Sequence, residues 1–511
     1  MKFRTLVYLL MLCFCMGLTA QESVDLQTIT RIKQEGFKNS EVMETLSYLT
    51  DVYGPRLTGS SNLRNAQNWA VEKLTEWGLA NAKTESWGVF GYGWEVERFS
   101  AEMTAPQYMN LIAYPQAWTP GTDGVITGNP VLIDPDDESV EEEFKGKLAG
   151  AIVLLGTPQE MDDHSEADEE RYSDEKLAEL AMAETPGARP SNLERIQRWR
   201  KLRAKTEKLN KMFLDEGAKV VVRSSQLDHG TLRVMSGGSY KTAASRSMPS
   251  IIIAKEQYNR IARLLEKEIP VELSINIQTR FLEEDSLEYN VVAEIPGTDR
   301  KLKDEIVMLG GHIDSWHSGT GATDNGAGSA AMMEAVRILK AIDAKPRRTI
   351  RIALWTGEEQ GLLGSRGYVK KHFGNKETME LLPDHEKLSA YYNIDNGGGK
   401  IRGVYLQEND AARPFFEAML APFHDLGATT VTIQNTSGTD HLAFNEVGLP
   451  GFQFIQDPMS YRSRTWHTNM DVWDHVSESD MMQISVIVAS IVLHTANRDE
   501  KIPRKPLPTI K

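Results

Sequence analysis

Residues 306–316 have the sequence IVMLGGHIDSW, and residues 322–328, just beyond them, have the sequence ATDNGAG. An apolar run that ends in two glycines predicts an inner strand of a parallel sheet, and such sheets bind ligands beyond the carboxyl ends of their strands. Because side chains alternate along a strand, His312 and Asp314 point the same way, so Asp314 could orient the imidazole while its other ring nitrogen binds a metal. Asp324 follows in a glycine-rich turn before a predicted helix. Any one of these residues alone is equally typical of a hydrogen-bonded polar group at a strand end.

Length and charge limit the class of protein. The chain has 511 residues. This is longer than a chain that folds around one ordinary hydrophobic core, so we expect at least two domains. Its composition, 41% hydrophobic and 25% charged, is typical of a soluble globular protein. A formal net charge of -15 argues against binding to nucleic acid or to an anionic membrane.

The first 20 residues have the pattern of a secretory signal peptide. A basic start precedes an apolar run from Leu6 to Gly17, and small residues suitable for cleavage lie near position 20. Both cysteines, Cys13 and Cys15, lie inside this segment, so the mature chain would have none. We therefore expect a periplasmic or secreted protein without disulfides and without a membrane span once the signal is removed.

The middle of the chain predicts an inserted module. After Pro120, three apolar strands are predicted at residues 146–155, 217–222 and 249–253, and an amphipathic helix follows the last of them. These elements fit a compact β-rich domain hosted by the main fold. Within it, an acidic stretch at 159–186 precedes a basic stretch with helical periodicity. That pair could form a lid over a site, but a solvated helical hairpin is the more common structure for such charge patterns, and we favour it.

The main fold resumes near Tyr289 with alternating strands and helices. Strands are predicted at residues 306–309, 349–355, 390–394 and 451–455, with helices or long loops between them. This alternation predicts an α/β fold with a mixed, largely parallel sheet flanked by helices.

Further polar residues follow the other predicted strands of this sheet. Glu358 and Glu359 come after strand 349–355, Asp395 comes after strand 390–394, and His467 lies in the loop after strand 451–455. Adjacent carboxylates such as Glu358 and Glu359 repel each other unless a cation lies beside them. Five candidate ligands at one edge of a sheet suit a pair of divalent ions that share a carboxylate: His312, Asp324, Glu359, Asp395 and His467. Nitrogen and oxygen ligands without sulfur favour zinc, with Mn2+ or Co2+ as substitutes.

The order of these motifs, together with the sequence GPRLTGS at residues 54–60, resembles peptidase family M28, the co-catalytic zinc exopeptidases. The inserted module resembles a protease-associated (PA) domain, as in the carboxypeptidase Q-like branch of that family. The resemblance implies a zinc-exopeptidase fold and the following division of the chain: a signal peptide at 1–20, the N-terminal part of the catalytic domain at 21–119, an inserted PA-like domain at 120–283, and the main part of the catalytic domain at 284–511.

The resemblance also implies roles for individual residues. Asp324 would bridge two zinc ions, with His312 and Asp395 on one ion and Glu359 and His467 on the other. Glu358 would be the catalytic base and acid, and Asp314 would support catalysis by orienting His312.

Four further residues are candidates for substrate contact or for support of the ligands: Asp440, His441, Tyr461 and Asp471. Asp471 is expected to support His467. Asp440 and His441 resemble a substrate-side motif of the family, although they would equally suit hydrogen bonds to a neighbouring loop. Related enzymes often place a tyrosine before the last histidine, where its hydroxyl stabilises the oxyanion, but this sequence has Trp466 there. Tyr461, in the same loop, is the candidate substitute.

These features predict an exported di-zinc exopeptidase that hydrolyses terminal peptide bonds of dipeptides or short peptides, as an aminopeptidase, a dipeptidase or a carboxypeptidase. The expected partners are short peptide substrates and, by resemblance, a second copy of the chain in a homodimer. One alternative is a glutaminyl-cyclase-like transferase, which uses a single zinc ion on the same fold. The other is a non-catalytic binding protein or receptor, which the complete set of ligands and the two glutamates disfavour.

Overall fold

The computed structural model describes residues 22–165, 167–186, 193–242 and 247–509, so the predicted signal peptide lies outside the described residues. The helices are α1 (Leu26–Lys38), α2 (Val42–Ser47), α3 (Ser61–Glu76), α4 (Val140–Glu143), α5 (Asp174–Ala181), α6 (Leu193–Asp215), α7 (Lys255–Glu266), α8 (Ala327–Ala341), α9 (Leu363–His372), α10 (Arg413–Leu420), α11 (His441–Asn445) and α12 (Glu478–Asn497). The strands are β1 (Ala80–Val89), β2 (Gly93–Ala105), β3 (Met109–Asn110), β4 (Ala113–Pro115), β5 (Ile126–Gly128), β6 (Pro130–Ile133), β7 (Ile152–Leu155), β8 (Val220–Ser224), β9 (Ser250–Ile253), β10 (Glu272–Leu282), β11 (Leu287–Ile295), β12 (Ile306–His312), β13 (Thr349–Trp355), β14 (Gly374–Asn375), β15 (Glu380–Leu381), β16 (Leu388–Asn393), β17 (Ile401–Tyr405), β18 (Thr430–Thr432) and β19 (Gly451–Gln456).

An eight-stranded sheet forms the centre of the molecule, in the order β1-β11-β13-β12-β16-β19-β17-β18. Its inner strands β13, β12, β16 and β19 run parallel to one another. Strand β11 pairs antiparallel with β1 and with β13, and β17 pairs antiparallel with β19. The prediction of a mixed, largely parallel sheet is therefore confirmed. Because the four inner strands are parallel, their carboxyl ends lie at one edge of the sheet, which is where the candidate ligands follow them.

Strand β12 is the middle of this arrangement because it is buried on both faces and along its whole length. Helices α8 and α12 cover one face with a large aliphatic core, and α9 and α11 cover the other with aromatic residues such as Tyr368 and Phe444. The strand approaches β13 closely at Gly310, where a Cβ atom would lie 2.2 Å from the carbonyl oxygen of Ala353. A side chain there would separate the two strands, so the first glycine of the quoted sequence is needed for packing.

Helix α12 is an element that the sequence analysis did not identify. It has 20 residues and a hydropathy of 1.3, enough by length and composition to cross a membrane, but 89% of that segment is buried inside the protein. It packs against α8 and α1 in the largest core. The apolar composition of α12 is thus accounted for by its position in the core.

Residues 93–282 contain two smaller sheets. One has five strands in the order β4-β9-β8-β7-β6, and the other has four in the order β3-β2-β10-β5. The three predicted apolar strands correspond to β7, β8 and β9, and α7 packs with both sheets in one core. We call this part of the molecule the inserted module. Its assignment to the PA type, and the predicted domain boundaries, remain predictions.

The acidic stretch of the inserted module is mostly exposed, but one short segment of it contacts the catalytic domain. Arg171 lies 2.9 Å from the fully buried carboxylate of Asp457 and 2.8 Å from that of Asp480. The backbone N–H of Tyr172 donates to Asp457, and Arg402 of the catalytic domain binds the same carboxylate. The solvated helical hairpin therefore remains a prediction, and the contact of Arg171 with buried acids nearly 300 positions away is one that no local sequence signal predicted. We call residues 168–172 the strap.

Candidate metal centre

His312 is the last residue of β12, and its ring is fully buried. Its Nδ1 donates a hydrogen bond to the backbone carbonyl oxygen of Asp314 at 3.0 Å, and the Asp314 carboxylate lies 3.4 Å from the same nitrogen. The ring is thus oriented by Asp314, as the alternation along the strand predicted, but mainly through the backbone. Because Nδ1 carries the proton, Nε2 presents a lone pair to the site.

Asp324 lies between the two histidines that the sequence singled out. Its Oδ1 is 3.3 Å from Nε2 of His312, and its Oδ2 is 3.2 Å from Nε2 of His467. Burial works to raise the pKa of this carboxyl, but the two neighbouring histidines hold the pKa well below its usual range. One carboxylate therefore presents one oxygen to each half of the site.

Glu358 and Glu359 follow β13, beside His312. Their backbone N–H groups point at the Asp314 carboxylate, each at 3.4 Å. The carboxylate of Glu358 lies 3.9 Å from Nε2 of His312, whereas that of Glu359 lies 3.0 Å from Nε2 of His467. Burial raises the pKa of Glu359 to about 7 and that of Glu358 well above its usual range. The two adjacent glutamates therefore face different histidines.

Asp395 follows β16 and completes the His312 half of the site. One of its carboxylate oxygens lies 3.5 Å from Nε2 of His312. The sequence-predicted residues thus form two groups around Asp324, with His312, Asp395 and Glu358 in one and His467 and Glu359 in the other.

His467 lies on a loop rather than at a strand end. Its backbone has a positive φ of 61°, and its ring is tilted by 32° against that of Trp466, with the ring centroids 4.0 Å apart. The inserted module holds this loop: the carbonyl oxygen of His467 accepts from the N–H of Val234, and Nδ1 lies 3.2 Å from Sδ of Met235. Burial opposes a charge on His467, but Glu359 and Asp324 raise its pKa to about 10.

The donor set fits divalent cations. Among the described residues, three buried atoms that face one another make no hydrogen bond: Nε2 of His312, Oδ2 of Asp324 and Oε1 of Glu359. A buried lone pair among several carboxylates is costly unless a cation satisfies it. The ligand atoms of His312, Asp324 and Glu359, and likewise those of His312, Glu358 and Asp395, lie within 4.8 Å of one another. The five predicted ligands therefore converge in a way that suits metal binding.

Asp471 is placed differently from the prediction, which had it support His467. Its carboxylate accepts hydrogen bonds from the backbone N–H and the hydroxyl of Thr323, at 2.6 Å and 2.7 Å, and from the N–H of Asp324 at 3.2 Å. The turn after His467 brings Asp471 back against the 320–324 loop, so it positions Asp324 instead. Burial raises the pKa of Asp471 to about 7.

Asp440 and Tyr461 lie close enough to the site to feel the charges of its residues, whereas His441 faces the backbone of Thr436. Burial raises the pKa of Asp440 to about 7, and the charge of Asp395 acts in the same direction. Burial lowers the pKa of His441 to about 3, so its ring is neutral beside the backbone of Thr436. The pKa of Tyr461 is raised well above its ordinary value by burial and then by the charges of nearby Asp324 and Asp395. Tyr461 therefore brings a protonated hydroxyl to the ligands.

Arg56 is a residue whose role the sequence analysis missed, although it lies within the quoted sequence at 54–60. Its fully buried guanidinium donates to the backbone carbonyl oxygens of Leu49, Ile313, Thr320 and Gly321, which fixes the loops on both sides of the ligands. Next to it, the hydroxyl of Thr58 donates to the Asp314 carboxylate at 2.9 Å. An arginine directly after a Gly-Pro pair, in a turn-rich segment, was the available signal.

Comparison with known proteins identifies the catalytic part of the chain. Residues 290–492 match the model of Peptidase family M28, and this segment contains all five candidate ligands. This segment, which runs from β11 to α12, therefore resembles an M28 peptidase domain. Carboxypeptidase Q of Mus musculus is 25% identical to this chain over 464 residues, which cover 90% of this chain and 87% of that protein.

Solved structures show a similar fold over most of this chain. A peptidase M28 precursor from Shewanella amazonensis has a TM-score of 0.67 and 24% identity, and the match covers 94% of this chain and 98% of that one. BSAP, a zinc aminopeptidase from Bacillus subtilis, has a TM-score of 0.55 and 18% identity, with 90% and 95% covered. The predicted resemblance to peptidase family M28 is confirmed, and so is the prediction of a metallopeptidase.

Proposed function

We propose that this chain is an exported exopeptidase that holds two zinc ions and hydrolyses terminal peptide bonds of short peptides. The observation that carries the proposal is the position of Asp324, which presents one carboxylate oxygen to His312 and the other to His467. His312 and Asp395 would complete the protein ligands of one ion, and Glu359 and His467 those of the other. Export is supported by the signal-peptide pattern at residues 1–20.

The residues present suit zinc because they are imidazole nitrogens and carboxylate oxygens. When bound, two such ions would supply Lewis-acid polarisation of the scissile carbonyl and would make a water molecule easier to deprotonate. The zinc aminopeptidase from Bacillus subtilis, whose fold this chain shares, supports the choice of metal.

Glu358 is the residue that moves the proton. It is buried beside His312, whereas Glu359 faces His467. Its carboxylate is therefore available to take a proton from the attacking water and to return it to the leaving amine. Asp314 keeps it there, since the Asp314 carboxylate faces the backbone N–H groups of both glutamates. Tyr461 provides the hydroxyl that would stabilise the oxyanion. In related enzymes a tyrosine at the position of Trp466 often has this role.

Replacing Glu358 tests these roles. Glu358→Gln should lower kcat on dipeptides by about a hundredfold to ten-thousandfold, because the general base is lost. The variant should bind the same amount of zinc as the wild type, measured by atomic emission on the purified protein, because Glu358 is not among the five ligands.

Glu377→Gln is the matched control, since Glu377 is exposed in the loop after β14. It should leave both kcat and zinc content unchanged. Substantial activity of the Glu358→Gln protein would contradict the role of Glu358, and loss of its zinc would make Glu358 a ligand rather than a base.

A further inference from the structure

Two arginines lie against Trp466, the neighbour of the candidate ligand His467. The guanidinium carbon of Arg462 is 4.5 Å from the centre of the Trp466 ring, and that of Arg233 is 4.9 Å from it. Arg233 belongs to the inserted module and Arg462 to the catalytic domain, so the pair is formed where the two parts meet. Because the Trp466 ring contacts the His467 ring, with the centroids 4.0 Å apart, the two cations border the candidate metal centre.

Neither arginine has an acidic partner in the part of the chain that the structure describes. Arg233 donates only to backbone carbonyl oxygens, at 3.4 Å to Trp466 and at 3.1 Å to Arg462. Burial, and then the charge of Arg462, lowers the pKa of Arg233, which reflects two cations held together without an anion. Arg464, in the same turn, differs in this respect because it forms an ion pair with Asp168 at 2.8 Å.

Arg233 and Arg462 form a local positive patch in a chain with a net charge of -15. Arg462 is exposed and Arg233 is half-buried, so an anion from solvent can reach both guanidinium groups. The planar guanidinium matches a carboxylate with two parallel hydrogen bonds, and a carboxylate is the anion that a peptide carries at its end. An amino terminus would be repelled by the same pair.

We propose that Arg233 and Arg462 bind the free α-carboxylate of the peptide substrate, so that the bond cleaved lies next to a free carboxyl terminus. This assignment rests on the proposed function and adds the polarity of the substrate to it. Successive Cα atoms are about 3.8 Å apart, so a carboxylate held beside Trp466 places the cleaved bond one or two residues away, towards the ligands next to Trp466. Trp466 is then a spacer between the carboxylate site and the metal centre.

A matched pair of substrates tests the proposal in the zinc-loaded mature chain. The pair is one dipeptide with a free carboxyl terminus and the same dipeptide with a C-terminal amide. The wild type should prefer the free acid in kcat/KM. Arg462→Gln should lower kcat/KM for the free acid about tenfold to a hundredfold, mainly through KM, and should leave the amide within about twofold, because a charge-assisted hydrogen bond is lost only for the acid.

Arg464→Gln is the matched control, since Arg464 already has Asp168 as its partner, and it should leave the preference for the acid unchanged. Arg233→Gln should act like Arg462→Gln, and the exposed position of Arg462 keeps the test valid if the Arg233 variant does not fold. Binding of a free amino acid and of its amide, measured by calorimetry, should show the same difference without any turnover.

Equal loss on both substrates in the Arg462→Gln protein would overturn the proposal and leave the arginines as packing for Trp466. Equal hydrolysis of acid and amide by the wild type would overturn it as well, but would leave the proposed exopeptidase function intact. Hydrolysis of neither peptide by the zinc-loaded wild type would instead overturn the proposed function.

Discussion

His312 and His467 face the same Asp324 carboxylate, yet the protein holds them in different ways. His312 ends a strand that has parallel neighbours on both sides, and its ring is fully buried. His467 lies on a loop with a positive φ, and its partners include Val234 and Met235 of the inserted module. One half of the candidate centre is therefore built by the catalytic sheet alone, whereas the other half depends on the insertion.

Removing the shared ligand should have the largest effect. Asp324→Ala should lose both ions and all measurable hydrolysis, because each ion would lose a ligand and the link to the other. His467→Ala should lose only the ion on its own side and keep the one at His312 and Asp395. Zinc content of the two purified variants checks this, and loss of a single ion in both would show that Asp324 does not bridge.

A second prediction concerns His317, which follows His312 in the chain and contacts the inserted module. His317 is fully buried, its Nε2 donates to the carbonyl oxygen of Pro115 at 2.8 Å, and its ring lies edge-on to Trp94. Its Nδ1 has no partner among the described residues, and burial lowers the pKa from 6.5 to about 4. The unfolded chain thus binds a proton more readily than the folded one, so stability is lost as the pH falls from 6.5 towards 4.

At pH 5 this loss should be about 2 kcal/mol relative to pH 7.5. His317→Phe removes the titrating group and keeps an aromatic ring against Trp94. The free energy of unfolding should therefore fall by about 2 kcal/mol less in this variant than in the wild type over the same pH range, measured with denaturant at constant zinc. Parallel pH profiles would refute the role of His317.

The smallest effect is expected at the strap. Arg171→Ala removes one of the groups that hold the buried carboxylate of Asp457, at the start of the loop that carries Tyr461 and His467. Because outer-shell partners tune metal affinity, zinc should bind about tenfold more weakly. Lys176→Ala is the control, since the Lys176–Glu179 pair is exposed on α5 and should not affect zinc. Identical zinc affinities in a competition with a chelator would mean that the strap does not position the loop.

The two halves also differ in how far the sequence could predict them. For the His312 half, local patterns were sufficient: an apolar run, two glycines and a polar residue at the strand end predicted the sheet and the residues that meet at its edge. For the His467 half, the residues were identified, but their surroundings were not. The strap contacts Asp457 across 286 positions, and Asp471 turns back to Thr323 across 148. Contacts of this kind depend on how distant segments pack, and a single sequence contains no periodicity that reveals them.

The count of zinc ions in the purified mature chain is the most direct test of the central claim, that Asp324 joins two metal sites. Atomic emission on zinc-equilibrated wild-type protein should give two ions per chain, and titration with a chelator should remove them in two steps, first from the His467 side. One ion per chain at saturation would contradict the claim and would favour the single-zinc transferase instead.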